Sequence, residues 1–153
     1  MDRETGQPAP GRGPPVVDPR ALRASLSPAE RERVEGTVED LLALLGRAHA
    51  MAVLSAFAFA EGPLRFSELE SALGVAPNTL SVRLQELTDA GLLGREAYDE
   101  APPRVEYEPT PAAEALFPAF GHMHVWAMEH ELGREGGEGG EGGEGGEGGT
   151  EGT

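Results

Sequence analysis

From Pro28 to Leu45 the apolar residues Val34, Val38, Leu41, Leu42 and Leu45 recur at helical spacing, with Arg31, Glu32, Glu35, Glu39 and Asp40 between them. That alternation predicts an amphipathic helix. Ser27-Pro28-Ala29-Glu30 marks its start: Ser and Glu three apart make a capping box, and Pro suits the first helical position. A second helix is predicted over residues 48–60. Met51, Val53, Leu54, Phe57 and Phe59 make it apolar on nearly all sides, as a central buried helix would be. Glu61-Gly62-Pro63 ends it. Leu64-Arg65-Phe66 is then a short strand that can pair with the wing.

The pattern tightens between Phe66 and Tyr107. Ser67 and Glu70 predict a capping box for a short helix whose apolar stripe is Leu69 and Leu73. Gly74 supplies the left-handed residue that ends such a helix. A second helix opens at Pro77, buries Leu80, Leu84 and Leu87 on one face, and stops at Gly91. Two helices joined by a short turn around a Gly form a helix-turn-helix. A hairpin follows, with strands predicted from Leu92 to Tyr98 and from Arg104 to Glu108. Val105 and Tyr107 face one way while Arg104, Glu106 and Glu108 face the other, the period of a half-buried strand. At the tip, Pro102 and Pro103 lack N–H donors, so the ladder must stop there. The predicted fold is mostly α with a small β-wing: a winged helix-turn-helix.

After the hairpin, Pro109-Thr110-Pro111 opens a last helix from about Ala112 to Leu132. Leu116, Phe120, Met123 and Ala127 form one stripe, flanked by Trp126 and His130. So many large apolar groups on one helix call for a partner. Leu116, Phe120, Met123, Trp126 and Ala127 are therefore the predicted contacts of a homodimer, and the helix starting at Pro28 either joins them or covers only its own domain. Residues 27–132 make up the domain with its flanking helices. Residues 1–26, with Pro8, Pro10, Pro14, Pro15 and Pro19, and residues 133–153, a Gly/Glu-rich repeat, are expected to be disordered, since neither offers a core to bury.

Four segments, Phe66-Ser67-Glu68-Leu69, Leu80-Ser81-Val82-Arg83-Leu84, Ala90-Gly91-Leu92-Leu93 and Pro102-Pro103-Arg104-Val105-Glu106-Tyr107, resemble the HxlR-type winged-helix transcriptional regulators. The last is the most specific. The resemblance runs from about Gly46 to Glu131 and implies a dimeric, DNA-binding repressor or activator. Three positions depart from the family's habit. Gly46-Arg47-Ala48 stands where Gly-Lys-Trp is common, Ala76 precedes the recognition-helix Pro in place of Ser or Thr, and Ala113 replaces a Gly.

The reading surface predicted by this arrangement is the helix from Pro77. At about 100° per residue, Asn78, Val82, Gln85 and Asp89 lie opposite the leucines, with Ser81 at the edge. The first turns of a recognition helix meet base edges, which makes Asn78, Thr79, Ser81, Val82, Arg83 and Gln85 the candidates. Asn and Gln suit adenine, Arg suits guanine, and Val meets a thymine methyl. Arg83 lies to one side, where a phosphate contact is an equal alternative. On the wing, Arg95 and Arg104 can enter a minor groove or bind phosphate. The plainer alternative is an ion pair with Glu96 or Glu106, as even a reading as DNA contact for Arg95, while Arg104, inside the family motif, is the better candidate for DNA.

Charge complicates this picture. The net charge is −15, from 27 acidic and 12 basic residues. Every basic residue is Arg. Residues 47–132 hold thirteen acids against five arginines, a net of −8. A DNA-binding domain ordinarily carries a basic face. The absence of Lys and the acidic excess resemble versions of the family from halophilic archaea. They also keep open an alternative class: an acidic winged helix for protein interaction, or an anti-repressor that no longer touches DNA.

The chain contains no Cys, which excludes disulfides, thiolate metal sites and the cysteine-based oxidant sensing of some HxlR-type proteins. His122 and His124, two apart, point to different sides of a helix, and His124 and His130 fare little better, so no metal or other cofactor is expected. No Ser/His/Asp set or phosphate loop appears, and no enzyme is expected. The apolar run from Leu41 to Ala60 has Arg47 and His49 near its middle, where a charge costs about 2.5–3.5 kcal/mol in a bilayer. Two soluble helices and a cytoplasmic protein are expected, with double-stranded DNA, a second copy of the chain and an unidentified small-molecule effector as partners.

Overall fold

The computed structural model describes residues 17–133. Their order is α1 (Pro19–Ser25), α2 (Pro28–Leu45), α3 (Ala50–Phe59), β1 (Leu64–Arg65), α4 (Phe66–Leu73), α5 (Pro77–Asp89), β2 (Leu93–Tyr98), β3 (Arg104–Pro109) and α6 (Pro111–Glu129). The tail expected to be disordered, and most of the N-terminal segment, lie outside the described residues.

Residues 1–26 were expected to lack structure, and here the chain differs: α1 forms because the Asp18 carboxylate accepts from the Arg20 N–H at 2.9 Å and Pro19 occupies the first turn. The Ser27–Glu30 capping box at the start of α2 forms as predicted. The Ser27 hydrogen bonds hold the Glu30 carboxyl below its ordinary pKa. The second predicted box does not form. Leu64 and Arg65 pair with Tyr107 and Glu106 of β3, so the helix starts at once from Phe66. Its box is shifted back by two residues, with the Arg65 N–H donating to Glu68 Oε2 at 2.9 Å.

α4 and α5 form the helix-turn-helix. Gly74 ends α4 at φ 61°, and Gly91 takes φ 75° in the turn after α5. Both are left-handed positions where a side chain would be strained. The sheet is antiparallel with strand order β1-β3-β2. In the wing, Tyr98 stands opposite Arg104 and Glu96 opposite Glu106.

The core gathers Val53, Leu54 and Phe57 of α3, Leu69 of α4, Leu80, Leu84 and Leu87 of α5, Leu92 and Leu93 after it, and Ala113 and Phe120 of α6. Burial of a leucine stabilises by about 1.5–3 kcal/mol, so the three leucines of α5 suffice to fix which way that helix faces. α3 is the central helix, as expected, but not on all sides: Phe59 is 73% exposed, because α3 ends there and the chain turns away into β1. α2 contributes no fully buried residue. Leu41, Leu44 and Leu45 pack on the core from its last turns, while Val34, Val38 and Leu42 are exposed. No single helix among the described residues is long and apolar enough to cross a membrane, and α2 and α3 meet at 95°.

Candidate nucleic-acid interface

α5 presents the predicted face. Asn78, Ser81, Val82 and Gln85 are exposed and Thr79 is half-buried. On the opposite side Leu80, Leu84 and Leu87 are fully buried. Asn78, Ser81 and Val82 make no side-chain contact that commits them elsewhere in the fold, and they sit within the first turns. The Gln85 amide donates to Asp89 Oδ1 at 2.8 Å. That bond uses one of the two amide N–H groups, so the second N–H and Oε1 remain for a base.

Arg83 does not lie on this face. Its side chain is 17% exposed. Nε donates to the Ala48 carbonyl at 2.7 Å and a terminal nitrogen donates to Glu86 Oε2 at 3.0 Å. Glu86 in turn accepts from Arg47. The expectation that Arg83 reads a base or grips a phosphate is therefore not supported by its position. Arg47, Ala48 and Glu86 escaped the sequence reading. Only the three-residue spacing of Arg83 and Glu86 hinted at a pair; their partners come from 35 and 39 residues away.

On the wing the two arginines differ. Glu96 faces Glu106 directly across the strands, and like charges so placed repel. Arg104 answers that repulsion. It lies 3.3 Å from Glu106, 3.5 Å from Glu100 and 4.3 Å from the centre of the Tyr98 ring. Arg65 approaches Glu106 from β1 at 3.9 Å. Arg104, the better sequence candidate for DNA, is thus consumed by its own wing, with only 29% of its side chain exposed. Arg95 is exposed and enters no ion pair among the described residues. Desolvation, then the charges of Glu96 and Glu106, push the Tyr98 phenol above its ordinary pKa.

The predicted dimer residues also divide. Phe120 is only 2% exposed and belongs to the domain's own core, and Leu116 packs against that core. Met123, Trp126 and Ala127 are exposed, together with Val125 and Met128. After Phe120 the helix runs on past the core: His124 still meets Phe59 of α3 edge to face, with ring centroids 5.7 Å apart, but the apolar side chains beyond Phe120 stay exposed. Its last histidines make local contacts: His124 Nδ1 meets the Phe120 carbonyl at 2.7 Å and His130 Nδ1 the Trp126 carbonyl at 3.0 Å. A carbonyl can only accept, so each Nδ1 carries the proton. Among the described residues, no three His, Asp or Glu side chains converge on a metal-binding geometry.

Residues 44–134 match the family model described as HxlR-like helix-turn-helix. YvaP of Bacillus subtilis, named as an uncharacterized HTH-type transcriptional regulator, is 40% identical over 77 residues, half of this chain and 71% of YvaP. A regulator of the same description from Halalkalibacterium halodurans, BH0655, is 34% identical over 91 residues, 59% of this chain and 80% of its own. Among solved structures, reduced YodB of B. subtilis superposes with a TM-score of 0.53 at 26% identity, over 68% of this chain and 93% of YodB. The oxidized form of the redox regulator HypR does so with a TM-score of 0.52 at 26% identity, over 63% and 98%. These relatives are bacterial and give no support to the resemblance to halophilic archaea. Without a cysteine, the chain has no thiol with which to carry out redox chemistry. On the extent of the family match and the winged-helix architecture, the chain belongs to the HxlR-like helix-turn-helix family of transcriptional regulators.

Proposed function

We propose that the protein is a sequence-specific DNA-binding regulator that acts as a homodimer by occupying or clearing a promoter. The observation that carries the proposal is the division of α5. Three fully buried leucines lock one side, and Asn78, Ser81 and Val82 stand exposed and uncommitted on the other. That is the arrangement a recognition helix needs in a major groove. Arg95 is the wing residue free to reach the backbone or the minor groove. The dimer is supported by the apolar surface at Met123, Val125, Trp126 and Met128 on α6 and at Val34, Val38 and Leu42 on α2. A small-molecule effector is compatible with this reading.

The direct test is footprinting of bound DNA, starting with the region upstream of the protein's own gene. A protected site binding the dimer supports the proposal. Failure to protect any DNA would favour an acidic winged helix that works through protein contacts.

The acidic surface adds a second expectation. At 1 M salt the Debye length falls to about 3 Å, so repulsion fades both within the protein and between its carboxylates and the phosphates. An ordinary binder loses affinity steeply with salt because it releases counterions from DNA. With a domain at −8, affinity is expected to stay flat or rise between about 0.5 and 2 M KCl, with the thermal midpoint rising over the same range. Titrations showing the steep negative slope of a basic repressor would overturn this salt-adapted reading while leaving the fold assignment intact.

A further inference from the structure

We propose that Arg83 and Glu86 are positioning residues that tie the recognition helix to the corner between α2 and α3, with Arg47 as the outer arm of the same clamp. The inference rests on the DNA-binding reading of α5 and assigns Arg83 a role within it that is not contact with DNA.

The corner is a demanding piece of backbone. α2 and α3 meet at 95° across four residues. A side chain at Gly46 would place its Cβ 2.9 Å from the Leu42 carbonyl oxygen, closer than real contacts come. His49 sits at φ 68°, the lone non-glycine left-handed residue among those described. Such residues persist where their surroundings hold them. The Arg83 guanidinium provides the hold. Its Nε takes the Ala48 carbonyl, and its other face takes Glu86, which reaches on to Arg47. Arg83 and Glu86 are 17% and 22% exposed, so the pair is screened far less than a surface ion pair. Arg47 is 55% exposed and contributes less.

The geometry gives the clamp its function. α2 buries no residue fully, and its first turns stand away from the core. Its orientation relative to α5 therefore depends on its last turn and on this corner. Where α2 and α6 meet the partner subunit, the clamp sets where each recognition helix stands relative to the other. Half-site spacing is a geometric property of such a dimer.

The experiment measures operator affinity against KCl concentration for the full chain and for Glu86→Gln, Arg83→Gln and Arg83→Lys, with thermal melts alongside. Glu86→Gln is the sharpest variant. It removes a negative charge from the DNA-facing helix itself, so simple electrostatics predicts tighter binding, whereas loss of positioning predicts weaker binding. The clamp predicts a loss of about tenfold for Glu86→Gln and for Arg83→Gln, with the slope of log affinity on log salt unchanged, where a lost phosphate contact would change it by about 1. Arg83→Lys should also weaken binding, since a Lys cannot serve Ala48 and Glu86 with a planar fork. Melts identify any variant whose binding is lost through unfolding, and Glu86→Gln, which keeps the shape of the side chain, preserves the test. Glu86→Gln binding as well as the unaltered protein or better, or a slope change of about 1 for Arg83→Gln, overturns the clamp. An unaltered protein that protects no DNA overturns the DNA-binding reading, and with it this role.

Discussion

α5 and α6 both carry large apolar residues at spacings of three and four, and the two stripes end differently. In α5, Leu80, Leu84 and Leu87 are all fully buried. In α6, Ala113 and Phe120 are buried, whereas Met123, Val125, Trp126 and Met128 are 47–84% exposed. Periodicity reports that a stripe exists. What covers it depends on the length of the helix relative to the body it packs on. α5 has thirteen residues and stays within the domain; α6 has nineteen and overshoots it. The difference separates a helix whose stripe is covered along its whole length within the chain from one whose far end stands exposed.

That contrast breaks most sharply at two aromatic residues of α6. Phe120→Asp puts a charge into the core, where loss of a Phe side chain alone costs about 3–5 kcal/mol. A domain with a total stability of about 5–15 kcal/mol should lose most of its fold. Trp126→Asp places a charge on the exposed part of the same stripe. It should leave the monomer folded and dissociate the proposed dimer. Circular dichroism with sedimentation distinguishes the two. A Trp126→Asp protein that remains a dimer would remove α6 from the interface.

The face of α5 sets a smaller effect. Asn78 is exposed and makes no side-chain hydrogen bond among the described residues. Asn78→Ala should cost about 1–3 kcal/mol of discrimination at one base pair. An exposed substitution of this kind should change stability by no more than about 0.5 kcal/mol. Competition binding with single-base operator variants checks the first and a thermal melt the second. Equal loss on every DNA sequence would mean that Asn78 positions rather than reads.

Much of this fold is legible locally. The Ser27–Glu30 box, Gly74, Pro77, Gly91 and the two strands around Pro102-Pro103 each act within a few residues, and each stands where sequence patterning puts it. What escaped depends on distant contacts. Pairing of Leu64 and Arg65 with β3 moved the cap of α4 from Ser67 to Arg65. Arg83 lies at the edge of the polar face by helical angle alone, and the Ala48 carbonyl, 35 residues away, decides its use. Arg104 matches the family motif as well as any residue does, yet the Glu96–Glu106 opposition across the strands claims it. Local preference alone would also end a helix at Pro118, since an interior proline loses a hydrogen bond and crowds the carbonyl four residues back; α6 nevertheless continues through it to Glu129. In the candidate site, then, exposure of Asn78, Ser81 and Val82 followed from periodicity, and the contacts of Arg83 and Arg104 did not.

The smallest expected effect lies at the start of α5. Four helices show what a cap there would look like. Asp18 accepts from Arg20 N–H, Ser27 from Glu30 N–H, and Thr110 from Ala113 N–H, while Glu68 reaches back to the N–H of Arg65. α5 has Ala76 in that place, and its methyl group can accept nothing. Pro77 removes one orphan donor by lacking an N–H altogether, but the N–H groups of Asn78 and Thr79 have no side-chain cap. Ala76 already has φ −57° and ψ 138°, an extended backbone of the kind a capping residue takes. The Ala76→Ser variant therefore needs no rearrangement: its Oγ should accept from the Thr79 N–H. The gain expected is about 0.5–1 kcal/mol, a rise of roughly 2–8 °C in Tm for a domain of this size. Melts in which Ala76→Ser is no more stable than the unaltered chain would show that these donors are already satisfied by water, and that α5, unlike its neighbours, owes its start to Pro77 and the buried leucines alone.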